Sequence, residues 1–379
     1  MSRGKLENLQ DCEDFVRGCL FMGTGGGGGV DWGMSLLKEA LQDGIPLEWV
    51  DVSEIPDDAL TVTAYGMGSI APPSQETLDE IKRLGLQDRY GHRAMEQAVV
   101  ELGEYLGKPV GCIVPAELGA GNTPAPLVVG CRLGIPVVDG DYAGRAIPEE
   151  MQGTPYLYGK HSWPFSSVDH WGNIAIVKYT VSPHMLERIG KMLAVAAFGH
   201  TTMAATPLSG AEMKQIVVPN TLTKCLNLGR KMRQAREQGR EVIEAALEVT
   251  GGWRLFEGVV DRKAWEDRGG YMYGTTTIRG SGAYAGQTLK VWFKNENHVS
   301  WLNDRPWVCS PDLITIAYKE SGEGTTNTLL KEGDEVVVVG MKGLEAFRTK
   351  FGLDEAAGPR YFGFDIEYVP IEQLMKERG

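Results

Sequence analysis

No stretch of the sequence approaches the roughly 18 consecutive apolar residues that a membrane-spanning helix needs. The opening residues, MSRGKLENLQDCEDF, carry acids where a signal peptide would be apolar, so the expected location is the cytoplasm. Cysteine is sparse. Cys12, Cys19, Cys112, Cys131, Cys225 and Cys309 form neither a CxxC pair nor a compact framework, which excludes a disulfide scaffold and leaves reduced, mostly buried thiols. The histidines, His92, His161, His170, His184, His200 and His298, show no HExxH or HxH spacing, so no local zinc motif is present. Positive charge is also short: 38 Lys and Arg stand against 50 Asp and Glu, a net charge of −12 that repels phosphate backbones and anionic lipid. The one basic cluster, Arg230, Lys231, Arg233, Arg236 and Arg240, lies in a helical stretch and reads as a solvated face. Neither a nucleic acid nor a membrane is the expected partner.

What is present is an ordinary globular composition, 42% hydrophobic and 23% charged, on a chain of 379 residues. That length exceeds what one core usually serves, so two domains are expected. Helical spacing over Leu6–Met22 runs into a glycine loop, Gly23–Gly29, and then into a second helix with Asp31 as its expected N-cap. Strands are expected at Leu47–Val52, Leu60–Ala64, Val110–Val114 and Ile135–Val138, with helices at Ala94–Leu106 and Thr123–Leu133 between them. Such alternation predicts an α/β fold with a largely parallel sheet. A strand at Asn173–Thr180, a helix at Pro183–Ala197 capped by Ser182 and a helix at Thr221–Val249, broken at Gly229 or Gly239, follow. Beyond Gly251 the texture turns to β-rich runs at Leu255–Asp261, Tyr271–Ile278, Thr288–Lys294, Leu313–Tyr318 and Glu335–Val339, which predict a small barrel or sandwich. The expected domains are therefore residues 1–250 and 251–379.

Four constellations carry chemistry. Gly25, Gly26, Gly27 and Gly28 precede a helix, where backbone N–H groups and the helix dipole suit an anion, although neither a Walker motif nor a dinucleotide fingerprint is complete. Glu117 and Asn122 lie on a glycine-rich loop directly after a strand, the position at which open α/β sheets bind ligands. In Asp139-Gly140-Asp141-Tyr142-Ala143-Gly144-Arg145, followed by Glu149, acids at alternate positions with a nearby arginine suit a general base or acid, or oxygen ligation of a divalent cation. The last is Asn295-Glu296-Asn297-His298, in which His298 is the histidine best placed beside acids. A zinc site assembled from residues distant in sequence stays open.

These residues, with Gly251–Phe256, Gly258-Val259-Val260, Pro311-Asp312-Leu313-Ile314, Gly358-Pro359-Arg360 and Phe362-Gly363, resemble the S-methyl thiohydantoin desulfurase domain family. The resemblance implies an N-terminal three-layer α/β domain and a C-terminal β-barrel-like domain. It also implies hydrolysis of an S-methylated thiohydantoin, releasing a thiol and leaving a hydantoin. For that reaction Asp139 or Asp141 is the expected base, Glu117 or Glu149 the expected proton donor, and Asn122 the orienting group. Arg145 and the glycine loop are expected to hold a substrate carboxylate, and a divalent metal, zinc foremost, would take over activation of water. The other reading is a non-catalytic accessory subunit of a hydantoinase-type partner. Self-association into a homo-oligomer is a further expectation.

Overall fold

The computed structural model describes residues 4–69 and 73–377. Its first half alternates helices and strands: α1 (Leu9–Met22), α2 (Val30–Gln42), β1 (Leu60–Gly68), α3 (Gln75–Arg83), α4 (Ala94–Leu106), β2 (Val110–Pro115), α5 (Pro124–Leu133), β3 (Phe165–Val168), β4 (Ile174–Val177), α6 (Pro183–Ala196), β5 (His200–Ser209), α7 (Thr221–Glu237) and α8 (Val242–Thr250). The local chemistry sets the ends. Asn8 caps α1 by accepting from Asp11 N, and left-handed Gly107 and Gly134 terminate α4 and α5. The break expected in Thr221–Val249 falls at Gly239 rather than Gly229: its φ of 64° suits glycine and separates α7 from α8.

The first sheet has five strands in the order β2-β1-β5-β3-β4. Only β1 and β2 run parallel; β1 with β5, β5 with β3, and β3 with β4 are antiparallel, so the sheet is mixed rather than largely parallel. The apolar segment expected as a strand at Ile135–Val138 contributes single parallel bridges, Ile113 to Val137 and Val50 to Val138, beside β2. The sequence reading did not anticipate β3 and β5, and β5 supplies the sheet's central strand.

From Trp253 the chain is dominated by strands: β6 (Trp253–Arg268), β7 (Tyr271–Gly280), β8 (Thr288–Lys294), β9 (Glu296–Leu302), β10 (Arg305–Cys309), β11 (Leu313–Tyr318) and β12 (Glu335–Met341). They form one antiparallel sheet in the order β10-β9-β8-β7-β6-β12-β11. That sheet curls into a half-barrel, so that Asn297 Nδ2 on β9 donates to Ile314 O on β11 at 3.0 Å. Leu255, Phe256, Val291, Ile314 and Val338 fill its interior. The opposite surface is not independent: Leu313, Ala317, Val337 and Val339 join the core made by α1, α2, α4 and α7. Among the described residues no helix is long and apolar enough to cross a membrane.

Candidate functional site

The glycine loop is shaped from both sides. Gly23 closes α1, and Thr24, Gly25, Gly27 and Gly28 take φ values of 48°, 101°, 77° and 86°, a left-handed path that favours glycine. From the half-barrel, Asn297 N donates to Thr24 O at 2.8 Å and Asn327 N to Gly25 O at 2.7 Å. From the loop after β2, Gly121 N and Asn122 N both donate to Gly27 O at 3.0 Å. The loop then enters α2, whose N-cap, Gly29, offers no side-chain acceptor to the first turn.

Beside it lies a cavity of about 440 Å³, bounded by Gly26–Gly29, Tyr65, Gly66, Glu117, Asn122 and Glu296 among others. Glu117 is fixed by two short hydrogen bonds: Asn122 Nδ2 donates to Oε1 and Ile147 N to Oε2, each at 2.6 Å. Asn122 is oriented in turn by Gly66 N, which donates to its Oδ1 at 2.9 Å. Burial pushes the Glu117 carboxyl up to about 7 against those two donors, so it exchanges a proton near neutrality. Glu296 faces it from the half-barrel. Its Oε1 lies where a Cβ on Gly26 would be, 1.8 Å away, so only glycine admits it. Its buried Oε2 has no hydrogen-bond partner among the described residues. Burial and the Glu117 charge hold Glu296 well above the usual carboxylate range despite nearby Arg145.

A second acidic group lines the same cavity. Glu149 pairs with Lys294 Nζ at 2.6 Å and accepts from Tyr361 Oη at 3.1 Å. Tyr65 Oη donates to Glu150, whose carboxyl is raised to about 7 by burial and the neighbouring Glu187. Glu187 accepts from Tyr271 Oη at 2.7 Å and Glu150 N at 3.0 Å.

Of the residues singled out from the sequence, Gly26, Gly27, Gly28, Glu117, Asn122 and Glu149 border this cavity; Gly25, which faces Asn297 and Asn327, and Asp139, Asp141 and Arg145 do not. Asp139 instead accepts from Leu222 N at 3.0 Å, from Thr223 N at 3.1 Å and from the Thr223 hydroxyl, tying down the first turn of α7. Asp141 folds back on its own turn and accepts from Ala143 N at 2.9 Å and Gly144 N at 2.7 Å. Arg145 is buried. It donates to Ala146 O, Thr24 Oγ1 and Asn297 O at 2.9 Å and to Ser310 Oγ at 3.2 Å, clamping the glycine loop to the half-barrel. The segment does run beside Glu117, with Leu118 N donating to Arg145 O at 3.1 Å, but the turn at Gly144 brings the Ile147 N–H to the glutamate rather than the two aspartates. His298 is likewise buried away from the cavity, with Nδ1 3.2 Å from Ser310 Oγ and its ring against Phe362. The cavity also takes in Tyr65-Gly66-Met67-Gly68-Ser69, a glycine-rich strand end of the kind that lets a ligand approach closely, and adds Glu150, Glu187, Lys191 and His200, which have no local sequence signature. Glu296 was visible in its Asn-Glu-Asn motif. Among the described residues no three His, Cys, Asp or Glu side chains are grouped to hold a metal ion.

The fold is shared with the crystal structure of a protein from Chromobacterium violaceum, at 20% identity and a TM-score of 0.76, over 98% of this chain and 100% of that one. No curated protein matches the sequence. Two family descriptions do, "S-Me-THD-like, N-terminal domain" over residues 10–179 and "S-Me-THD-like, C-terminal domain" over residues 181–371. The chain belongs to the S-Me-THD-like family.

Proposed function

We propose that the protein is a hydrolase of a small heterocycle of the S-methyl thiohydantoin or hydantoin type, and that Glu117 and Glu296 are its proton-transferring groups. The observation that supports this most is the convergence on one cavity of two buried carboxyl groups with different hydrogen-bonding: Glu117 is held by two N–H donors, whereas Glu296 has an unpartnered oxygen. Pairs of carboxyl groups whose surroundings differ in this way divide the roles of base and acid.

In this reading ionised Glu117 takes a proton from water as its oxygen bonds to the ring carbon that carries the methylthio group. The C–S bond then breaks, and neutral Glu296 gives its proton to the departing sulfur, leaving a hydantoin and methanethiol. Protons return to the starting arrangement by exchange from Glu117 to Glu296. Asn122 fixes the base, and the N–H groups entering α2 face the charge that builds on the ring nitrogen and the carbonyl conjugated with it. Asp139 and Asp141, assigned the base from the sequence, have no part in it, because their carboxylates are turned toward α7 and toward the 141–144 turn.

The test is thiol release from a 2-methylthio-imidazolone by the purified protein, followed with a chromogenic disulfide and by mass spectrometry of the hydantoin. Turnover by wild type that Glu117→Gln and Glu296→Gln each reduce about 100-fold or more is expected. Ring binding without turnover would instead make the protein an accessory of a hydantoinase-type partner. Neither binding nor turnover would sink both readings.

A further inference from the structure

We propose that Lys191, on the cavity wall it shares with His170 and His200, binds an anionic group of the ligand, a carboxylate. This rests on the cavity being the ligand site and deepens that reading. It reassigns the carboxylate contact expected of Arg145, which lies outside the cavity and has four of its five N–H donors engaged by Thr24, Ala146, Asn297 and Ser310.

Lys191 projects from α6 into the cavity wall and is 4% exposed. An ammonium carries three donors. Here one reaches Gly68 O at 3.1 Å, and the nearest carboxylate, Glu187, stands off at 3.8 Å. Glu187 is already engaged through both oxygens, by Tyr271 Oη and by Glu150 N. The Tyr271 ring, 4.3 Å from the ammonium, supplies a weak face and no acceptor oxygen. A buried ammonium with donors to spare is costly until something anionic completes it.

The other cations in or beside the cavity differ: Arg93 is exposed, so water solvates it, and the rest are paired. Lys294 is paired with Glu149 at 2.6 Å, and Arg132 with Asp43 at 2.7 Å and Glu39 at 3.1 Å. The acids have their own donors: Glu117 has Asn122 and Ile147, Glu150 has Tyr65, and Glu187 has Tyr271. Glu296 keeps an unpartnered oxygen, but burial and the Glu117 charge hold its carboxyl well above the usual range, so it offers a cation no ready charge, whereas an anionic ligand completes the bonds that Lys191 lacks.

His170 and His200 continue the surface, stacked with centroids 5.7 Å apart at 29°. His200 lies close enough to Lys191 and His170 that their charges, after burial, disfavour its protonation, so its ring presents a neutral N–H. Its Nε2 sits over Gly66, 2.5 Å from where a Cβ would be, and Asn122 Oδ1 is 3.3 Å from the same point. His200 and Asn122 thus meet across Gly66, so the wall that carries Lys191 adjoins the Glu117–Asn122 centre, which suits a carboxylate on a side chain of the ring.

The experiment uses the carboxylate alone. Propionate and propionamide are titrated separately into full-length protein carrying ¹³C-labelled histidine, and the imidazole signals of His170 and His200 are followed by NMR, with Lys191→Met, Lys191→Arg and Lys191→Gln as variants. Propionate should shift both signals saturably in wild type, and propionamide should not. Lys191→Met should weaken propionate binding about tenfold to a hundredfold, Lys191→Arg should retain most of it, and Lys191→Gln replaces Met if that variant does not fold. Equal effects of propionate and propionamide, no saturable shift, tighter binding of propylamine, or undiminished propionate binding in the folded Met or Gln variant would each overturn the proposal. No ring is present and nothing is turned over, so a failed thiol-release assay leaves this result standing, and the reverse also holds.

Discussion

Replacing Asp141 by asparagine should stabilise the protein at alkaline pH and leave its activity intact. The Asp141 side chain is fully buried, and burial raises its pKa from 3.8 to about 7 against the two backbone donors it has gained. One oxygen receives both of those bonds; the other, Oδ1, is buried and unpartnered among the described residues, with the Thr221 hydroxyl facing it without closing a hydrogen bond. Asparagine can keep the acceptor at Ala143 N and Gly144 N and turn its NH₂ toward Thr221 Oγ1, pairing two orphaned atoms without a charge.

The sign follows from linkage. An acid whose folded pKa lies above its unfolded value keeps its proton longer in the fold, so its contribution is complete below the unfolded pKa and is lost as pH rises through the folded one. For Asp141 that window runs from 3.8 to about 7, and a difference of about 3 in pKa corresponds to roughly 4 kcal/mol at most. Glu117 and Glu150, also raised to about 7, add to the same decline in wild type. Urea unfolding of wild type and Asp141→Asn at several pH values between those limits and above should show near-equal stability at the acid end and a gain for the variant of up to about 4 kcal/mol above pH 7. A difference that did not change with pH, or loss of thiol release in a folded variant, would refute the reasoning and return Asp141 to the chemistry.

Turnover should rise about tenfold per pH unit toward neutrality and level off above about 7, as Glu117 ionises, and Glu117→Gln should remove that limb of the kcat/KM profile together with most of the rate. Gly26→Ala places a methyl 1.8 Å from Glu296 Oε1 and must displace that side chain; calorimetry should show about 1–3 kcal/mol of destabilisation and ligand binding should weaken. Arg145→Lys leaves the Thr24, Asn297 and Ser310 acceptors under-satisfied, so it should lower thermal stability by a few kcal/mol while the folded fraction, measured by titration calorimetry, keeps its ligand affinity.

The elements legible in the sequence are those whose boundaries are locally encoded. α4, β2 and α5 stand where periodicity put them because left-handed glycines at 107 and 134 end the helices and an apolar run makes the strand. β5 was missed because HTTMAATPLS is buried along most of its length on both faces and shows no alternation, so only its neighbours β1 and β3 make it a strand. β9 and β10 had a usable signal: Asn303 and Asp304, at φ 49° and 63°, are the residue types a tight hairpin turn requires. In the site, Glu117, Asn122 and the glycines follow from their place at the carboxyl end of a strand and the start of a helix. Asp139 and Asp141 fall outside the cavity because alternation after a strand says that two side chains share a face, and not which element that face meets.

That distinction explains why the glycine loop alone could not announce its use. Its path is set by Asn297 and Asn327 from the half-barrel and by Gly121 and Asn122 from the loop after β2, and its cavity acid, Glu296, reaches it only because position 26 has no side chain. Each of those groups lies far away in sequence, and each is buried or nearly so, which means its hydrogen bonds are made only once both sheets have assembled. On the side of the loop backbone meets backbone, and on the side of the acids Glu117, Glu150 and Glu187 each feel the charge of Lys191. In the proposed reading, ligand recognition rests on long-range pairings of side chains around the loop, with Glu296 on β9 and Lys191 on α6 supplied from outside it.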